Sequence, residues 1–157
     1  GALTIWDSLA ITEYLAERYP AAGLWPAEPG ARAHARAVAA EMHASFQALR
    51  QNMPMNVRAL RLSRGRSPEV AADIARITAL WRDCRACYGA GGPFLFGPFT
   101  AADCFYAPVV TRFTTYGVAL DPVSAAYAEA VHAWPALIEW CADAAAEPWR
   151  IEKYELD

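Results

Sequence analysis

The stretch Ser67-Pro68-Glu69-Val70-Ala71-Ala72-Asp73-Ile74-Ala75-Arg76-Ile77-Thr78-Ala79-Leu80-Trp81-Arg82-Asp83-Cys84-Arg85-Ala86-Cys87-Tyr88 decides the fold class. Val70, Ile74, Ile77, Trp81, Cys84 and Tyr88 recur at steps of four and three. That spacing lays them along one face of an α-helix for about five turns. The helix starts at Ser67 or Pro68, and Gly89-Ala90-Gly91-Gly92-Pro93 ends it.

The remainder of the chain agrees with that reading. It has 157 residues, 55% of them apolar, but 35 are alanine, the best helix former and a poor strand former. No long run of Val, Ile or Thr marks a sheet, so an all-α fold is expected and an all-β sandwich or parallel α/β sheet is disfavoured. Upstream, helices are predicted over residues 7–19, stopped by Pro20, and from Pro29 past Arg50, with Pro54 kinking or ending the second. Leu3-Thr4-Ile5-Trp6 reads as the end of a strand. Downstream, Phe94-Leu95-Phe96-Gly97 is an extended apolar connector, and Thr100 and Asp103 form a capping box that opens a helix bent at Pro108. Two shorter helices follow, over residues 122–133 and 135–146.

Charge and cysteine content narrow the function classes. Fourteen Lys and Arg against 17 Asp and Glu give a net charge of −3, which implies no basic face for nucleic acid. The longest uncharged stretches are interrupted by Gly and Pro and are too short for a membrane span, so neither nucleic acid nor membrane is expected as a partner. Cys84, Cys87, Cys104 and Cys141 fall in predicted helices, and a reducing cytoplasm is the expected compartment. The pair Cys84 and Cys87 has redox or zinc spacing but lies mid-helix with no second pair, and His34, His43 and His132 are scattered, so no metal is expected. Arg58, Arg61, Arg64 and Arg66 read as a solvated face, with attraction of a small anion as the alternative.

Asp7-Ser8 is the exception. A carboxylate and a hydroxyl at a helix start can meet both charged groups of an amino acid: free amides and the hydroxyl bind its carboxylate, and the aspartate takes its ammonium. The same two residue types are also ordinary helix caps.

Context gives the pair more weight. The run Leu3-Thr4-Ile5-Trp6-Asp7-Ser8-Leu9-Ala10-Ile11-Thr12-Glu13-Tyr14-Leu15 resembles the acidic-Ser-x-Ala-Ile-x-x-Tyr-Leu segment of cytosolic glutathione transferases, the last strand and helix of their thioredoxin-like domain. Leu24-Trp25-Pro26 resembles the family's inter-domain linker. Phe94-Leu95-Phe96-Gly97-Pro98-Phe99-Thr100-Ala101-Ala102-Asp103 resembles the buried capping signature of its helical domain. Glu41-Met42-His43-Ala44-Ser45-Phe46 is similar to a Glu-Leu-His-Lys-Gly-Phe stretch of bacterial beta-class members, with Ala44 in place of the Lys.

The resemblance implies a remnant of a thioredoxin-like domain over residues 1–20, a linker over 21–28 and a C-terminal helical bundle over 29–157. It implies that Asp7 and Ser8 hold the γ-glutamyl end of glutathione as co-substrate, and that Thr100 and Asp103 are folding determinants. A pocket for a small electrophilic second substrate would be lined by His43, Phe46, Met53, Phe105, Tyr106 and Arg112, the last available for an anionic electrophile. A homodimer is implied, with detoxification as the role. The family's thiol-activating Ser, Tyr or Cys has no counterpart in the chain, so the chain alone is expected to be inactive and the parent protein a transferase. A glutathione-dependent isomerase or thiol reductase on the same scaffold, and a non-catalytic interaction domain, are the alternatives.

Overall fold

The computed structural model describes residues 3–152. Its α-helices are α1 (Ser8–Arg18), α2 (Pro29–Ala44), α3 (Gln47–Asn52), α4 (Pro68–Tyr88), α5 (Ala101–Thr115), α6 (Pro122–His132) and α7 (Pro135–Ala146). No strand occurs among the described residues; Phe94 and Gly97 form an isolated bridge. The expected strand end at Leu3-Thr4-Ile5-Trp6 is irregular backbone, because no second strand among the described residues lies beside it to complete a ladder; Trp6 is largely exposed.

α4 turns one face into the core, and the periodicity of its sequence explains why. Val70, Ile77, Trp81 and Cys84 are all buried. The Trp81 ring meets Tyr106 and Phe113 of α5 at 6.0 and 5.5 Å between centroids, and Tyr127 of α6 at 4.8 Å. The aromatic cluster therefore joins three helices through edge and tilted contacts, the favoured ring geometries. α2 packs on α5 through buried Ala35, Val38, Ala39 and Met42, and the Tyr106 hydroxyl donates to the Val38 carbonyl at 3.1 Å.

The single long helix expected from Pro29 past Arg50 is instead two helices. Ser45 is extended, and Phe46 adopts the left-handed conformation at φ 64°, which costs a non-glycine residue about 1–2 kcal/mol. Side-chain hydrogen bonds offset that cost. Arg50 Nε donates to Ser45 O at 3.1 Å and its Nη2 donates to Met42 O, which satisfies carbonyls freed at the end of α2. Asp73 of α4 accepts from the Leu49 amide at 2.9 Å. Local periodicity carries no trace of Asp73, so the break was invisible in the sequence.

The arginine run is also more than a solvated face. Arg58 donates to the Glu147 and Trp149 carbonyls, and Arg66 to those of Tyr116 and Gly117. These bonds tie the α3–α4 connection to the ends of α7 and α5, where unpaired carbonyls and the helix dipole favour a cation.

The connector before α5 is fastened at several points. Arg85 Nη1 donates to the carbonyls of Gly89, Gly92 and Phe94. Fully buried Asp103 accepts from the Leu95 amide at 3.1 Å, the Thr100 amide at 2.8 Å and the Thr100 hydroxyl at 3.1 Å. Ala101 N donates to Leu24 O at 2.8 Å, which binds the start of α5 to the segment between α1 and α2. Burial raises the Asp103 carboxyl above its ordinary range, opposed by those amide and hydroxyl donors. α1 lies outermost: none of its residues is fully buried, and the Glu13–Arg36 pair at 2.6 Å links it to α2.

Candidate functional site

Asp7 precedes α1 at φ 76° and ψ 128°, a conformation that glycine tolerates and other residues rarely adopt. Holding it costs about 1–3 kcal/mol, and such outliers cluster at functional positions. The turn aims the Asp7 carboxylate at its own helix, where it accepts from Leu9 N at 2.9 Å and Ala10 N at 3.4 Å. The other carboxylate oxygen lies 3.0 Å from His43 Nε2, near the end of α2. Ser8 Oγ lies 3.5 Å from His43 Nδ1, at the outer edge of hydrogen-bond reach. A neutral imidazole that donates through Nε2 to Asp7 has Nδ1 free to accept from Ser8. The Leu9 amide does most to hold the Asp7 carboxyl below the usual carboxylate range; slight burial opposes it, and the Ala10 amide and His43 add to it. α1 and α2 thus meet through the residues that the sequence singled out, and the Asp7–Ser8 turn is anionic, polar and accessible.

Beside this turn opens a cavity of about 480 Å³ lined by Ser8, Thr12, Met42, His43, Arg50, Cys104, Phe105, Pro108 and Arg112. Of the residues expected to line a second-substrate pocket, it brings together His43, Phe105 and Arg112. The other three are core. Phe46 is turned inward by its left-handed backbone, Met53 is fully buried beyond α3, and Tyr106 lies between Trp81 and the Val38 carbonyl.

The correction has a geometric reason. Cys104, Pro108 and Arg112 succeed one another at steps of four and share the cavity face of α5. Tyr106 is two residues from both Cys104 and Pro108, so it points to the opposite side of the helix. Given Arg112, the helical period alone would have found Cys104 and Pro108; likewise Thr12 lies four residues after Ser8. Arg50 had no such signal, because the break at Phe46 redirects it.

Burial, and then the charge of Arg50, lower the Arg112 guanidinium to about 10. Its Nε donates to Met53 O at 3.0 Å and its Nη1 to Pro108 O at 3.1 Å. The Cys84 and Cys87 pair is not a redox site here: Cys84 is buried on α4, its thiol pushed up to about 12, while Cys87 is exposed and both are free. Among the described residues no group of three or more His, Cys, Asp or Glu is placed to hold a metal, and no helix is long and apolar enough to cross a membrane.

The family described as glutathione S-transferase, C-terminal domain, matches residues 32–143. Among solved structures, the chain is similar to a glutathione transferase homolog from Burkholderia gl BGR1 with bound glutathione. The two are 25% identical, with a TM-score of 0.65, over 93% of this chain and 71% of that one.

Proposed function

The chain belongs to the glutathione S-transferase family through its C-terminal domain, and from that premise we propose that it forms part of a transferase that conjugates glutathione to a small electrophile. The observation that carries the reading is the continuity of the Asp7–Ser8 turn with the cavity: Ser8 lines both, and His43 touches Asp7 and faces the cavity. A γ-glutamyl group held at the turn leaves the rest of the peptide free to reach toward the cavity. There, apolar Met42, Phe105 and Pro108 suit the carbon skeleton of a second substrate.

In this reading Asp7, fixed by the Leu9 and Ala10 amides, takes the γ-glutamyl ammonium, while Ser8 takes its carboxylate. The sulfur forms a bond to the electrophilic carbon, the leaving group departs with its bonding pair, and the thiol proton passes to solvent. A free thiol has a pKa of about 8.5, so it needs a neighbouring donor to react quickly at neutral pH. We assign that donor to a thioredoxin-like domain of which residues 1–20 are the closing segment, with 21–28 as linker and 29–157 as the helical domain. Homodimerisation, supported by the exposed Ile11, Tyr14 and Leu15 on α1, and a cytoplasmic, detoxifying role complete the proposal.

Retention of the full gene product on immobilised glutathione tests it. Binding that weakens about tenfold in Ser8→Ala, with an unchanged melting temperature, is expected from the loss of a charge-assisted hydrogen bond. A wild-type protein that washes through overturns the reading.

A further inference from the structure

Arg50 and Arg112 line the same cavity and reach it from different elements, α3 and α5. Each guanidinium carries five N–H donors in a planar fork. Arg50 uses two, on Ser45 O and Met42 O; Arg112 uses two, on Met53 O and Pro108 O. Three N–H groups remain on each, including the whole of Arg50 Nη1 and Arg112 Nη2, and no described residue accepts from them. Among the described residues no carboxylate lines the cavity; the nearby Asp7 is engaged by His43 and by the amides of α1.

Two like charges set close enough for Arg50 to depress the titration of Arg112 disfavour each other. The backbone carbonyls that fix both forks keep them from separating. Three arginines elsewhere on the surface pair with acids, Arg36 with Glu13, Arg76 with Glu41 and Arg82 with Asp121. The cavity pair is a cationic fork fixed by backbone carbonyls, with no counter-charge among the described residues that line the cavity, beside the apolar walls of Met42, Phe105 and Pro108.

We propose that the second substrate is an anionic electrophile, an apolar body bearing a carboxylate or similar planar oxyanion seated on the free N–H groups of Arg50 and Arg112. This rests on the transferase reading for the word electrophile, while the anion site itself does not. Two fixed guanidiniums suit bidentate recognition of a carboxylate, and the cost of holding them together is relieved only when the anion binds.

The test is a calorimetric titration of the full gene product with two unreactive probes, 4-nitrobenzoate and its neutral methyl ester, with saturating glutathione and without it. The acid is expected to bind at least about tenfold more tightly than the ester, with the preference shrinking as salt is raised. Arg50→Gln and Arg112→Gln are each expected to abolish the preference while ester binding persists, which shows that the cavity is still folded. Arg50→Lys, which keeps the charge and loses the fork, is expected to retain part of it. Equal binding of acid and ester overturns the proposal, as does a preference that survives both Gln variants. Competition between the acid and glutathione also overturns it, by giving the arginines to a carboxylate of the peptide. Failure of glutathione to bind, with the acid preference intact, sinks the transferase reading and leaves the anion site standing.

Discussion

His43 Nε2 lies 3.0 Å from the Asp7 carboxylate, so a residue near the end of α2 closes on the residue that caps α1. The Asp7 carboxyl is held below its ordinary range chiefly by the Leu9 amide, with the Ala10 amide and His43 as lesser contributors against slight burial. A carboxyl depressed by folding lends stability above its unfolded pKa and loses that contribution as pH falls through the folded value, here below about pH 4. Carbon-detected NMR titration of Asp7 should show the loss there, together with movement of the Leu9 and Ala10 amides. In His43→Ala the Asp7 value should rise yet stay below the ordinary range, because the Leu9 bond survives. A value restored fully to the ordinary range would contradict that ranking of causes.

Tyr106 and Tyr127 both border Trp81, and their hydroxyls differ in what they hold. The Tyr106 hydroxyl donates to Val38 O, whereas that of Tyr127, equally buried beside Asp103, makes no well-formed hydrogen bond. Tyr106→Phe should cost about 1 kcal/mol by removing a buried hydrogen bond from a carbonyl that keeps its helical partner, and Tyr127→Phe less than about 0.5 kcal/mol. Urea denaturation distinguishes them, and neither change should alter glutathione affinity.

Gly97 sits at φ 84°, where a Cβ would lie 2.5 Å from the Ala90 carbonyl oxygen. Gly97→Ala combines a left-handed penalty with a backbone clash and should destabilise by about 2–4 kcal/mol. Gly91, also at positive φ but facing open space, should pay only the conformational part on the same substitution, about 1 kcal/mol. Paired thermal melts would expose any error in this contrast.

Cys84 and Cys87 share a helix but not an environment. Burial pushes the Cys84 thiol up to about 12, while Cys87 is exposed. A maleimide at neutral pH should label Cys87 in the native protein and reach Cys84 only after denaturant is added. Native labelling of Cys84 by peptide mass mapping would show that α4 opens locally.

Much of this architecture was legible before any coordinates. The stripe on α4, the prolines at the starts of α2, α4, α6 and α7, and the Thr100–Asp103 box are signals whose partners lie within a few residues of each other. Leu3–Trp6, read as a strand end, is irregular backbone here because a strand needs a neighbour that local sequence does not supply. The cavity was half legible: Arg112 and Phe105 were expected, but their face of α5 was mixed with Tyr106 from the opposite side.

By itself, then, the sequence determined where helices start and stop, that Asp7 and Ser8 open one, and that the chain is built from α-helices, because capping and periodicity act within a turn or two. Only the tertiary structure decided which side of each helix meets a neighbour, that α2 breaks at Phe46 under the hold of Arg50 and Asp73, and that His43 lands on Asp7. It alone set Arg50 beside Arg112 with donors unspent. Those outcomes depend on helix packing angles and on bonds that reach beyond a single helical turn, some across tens of positions, and a periodic pattern carries no information about either.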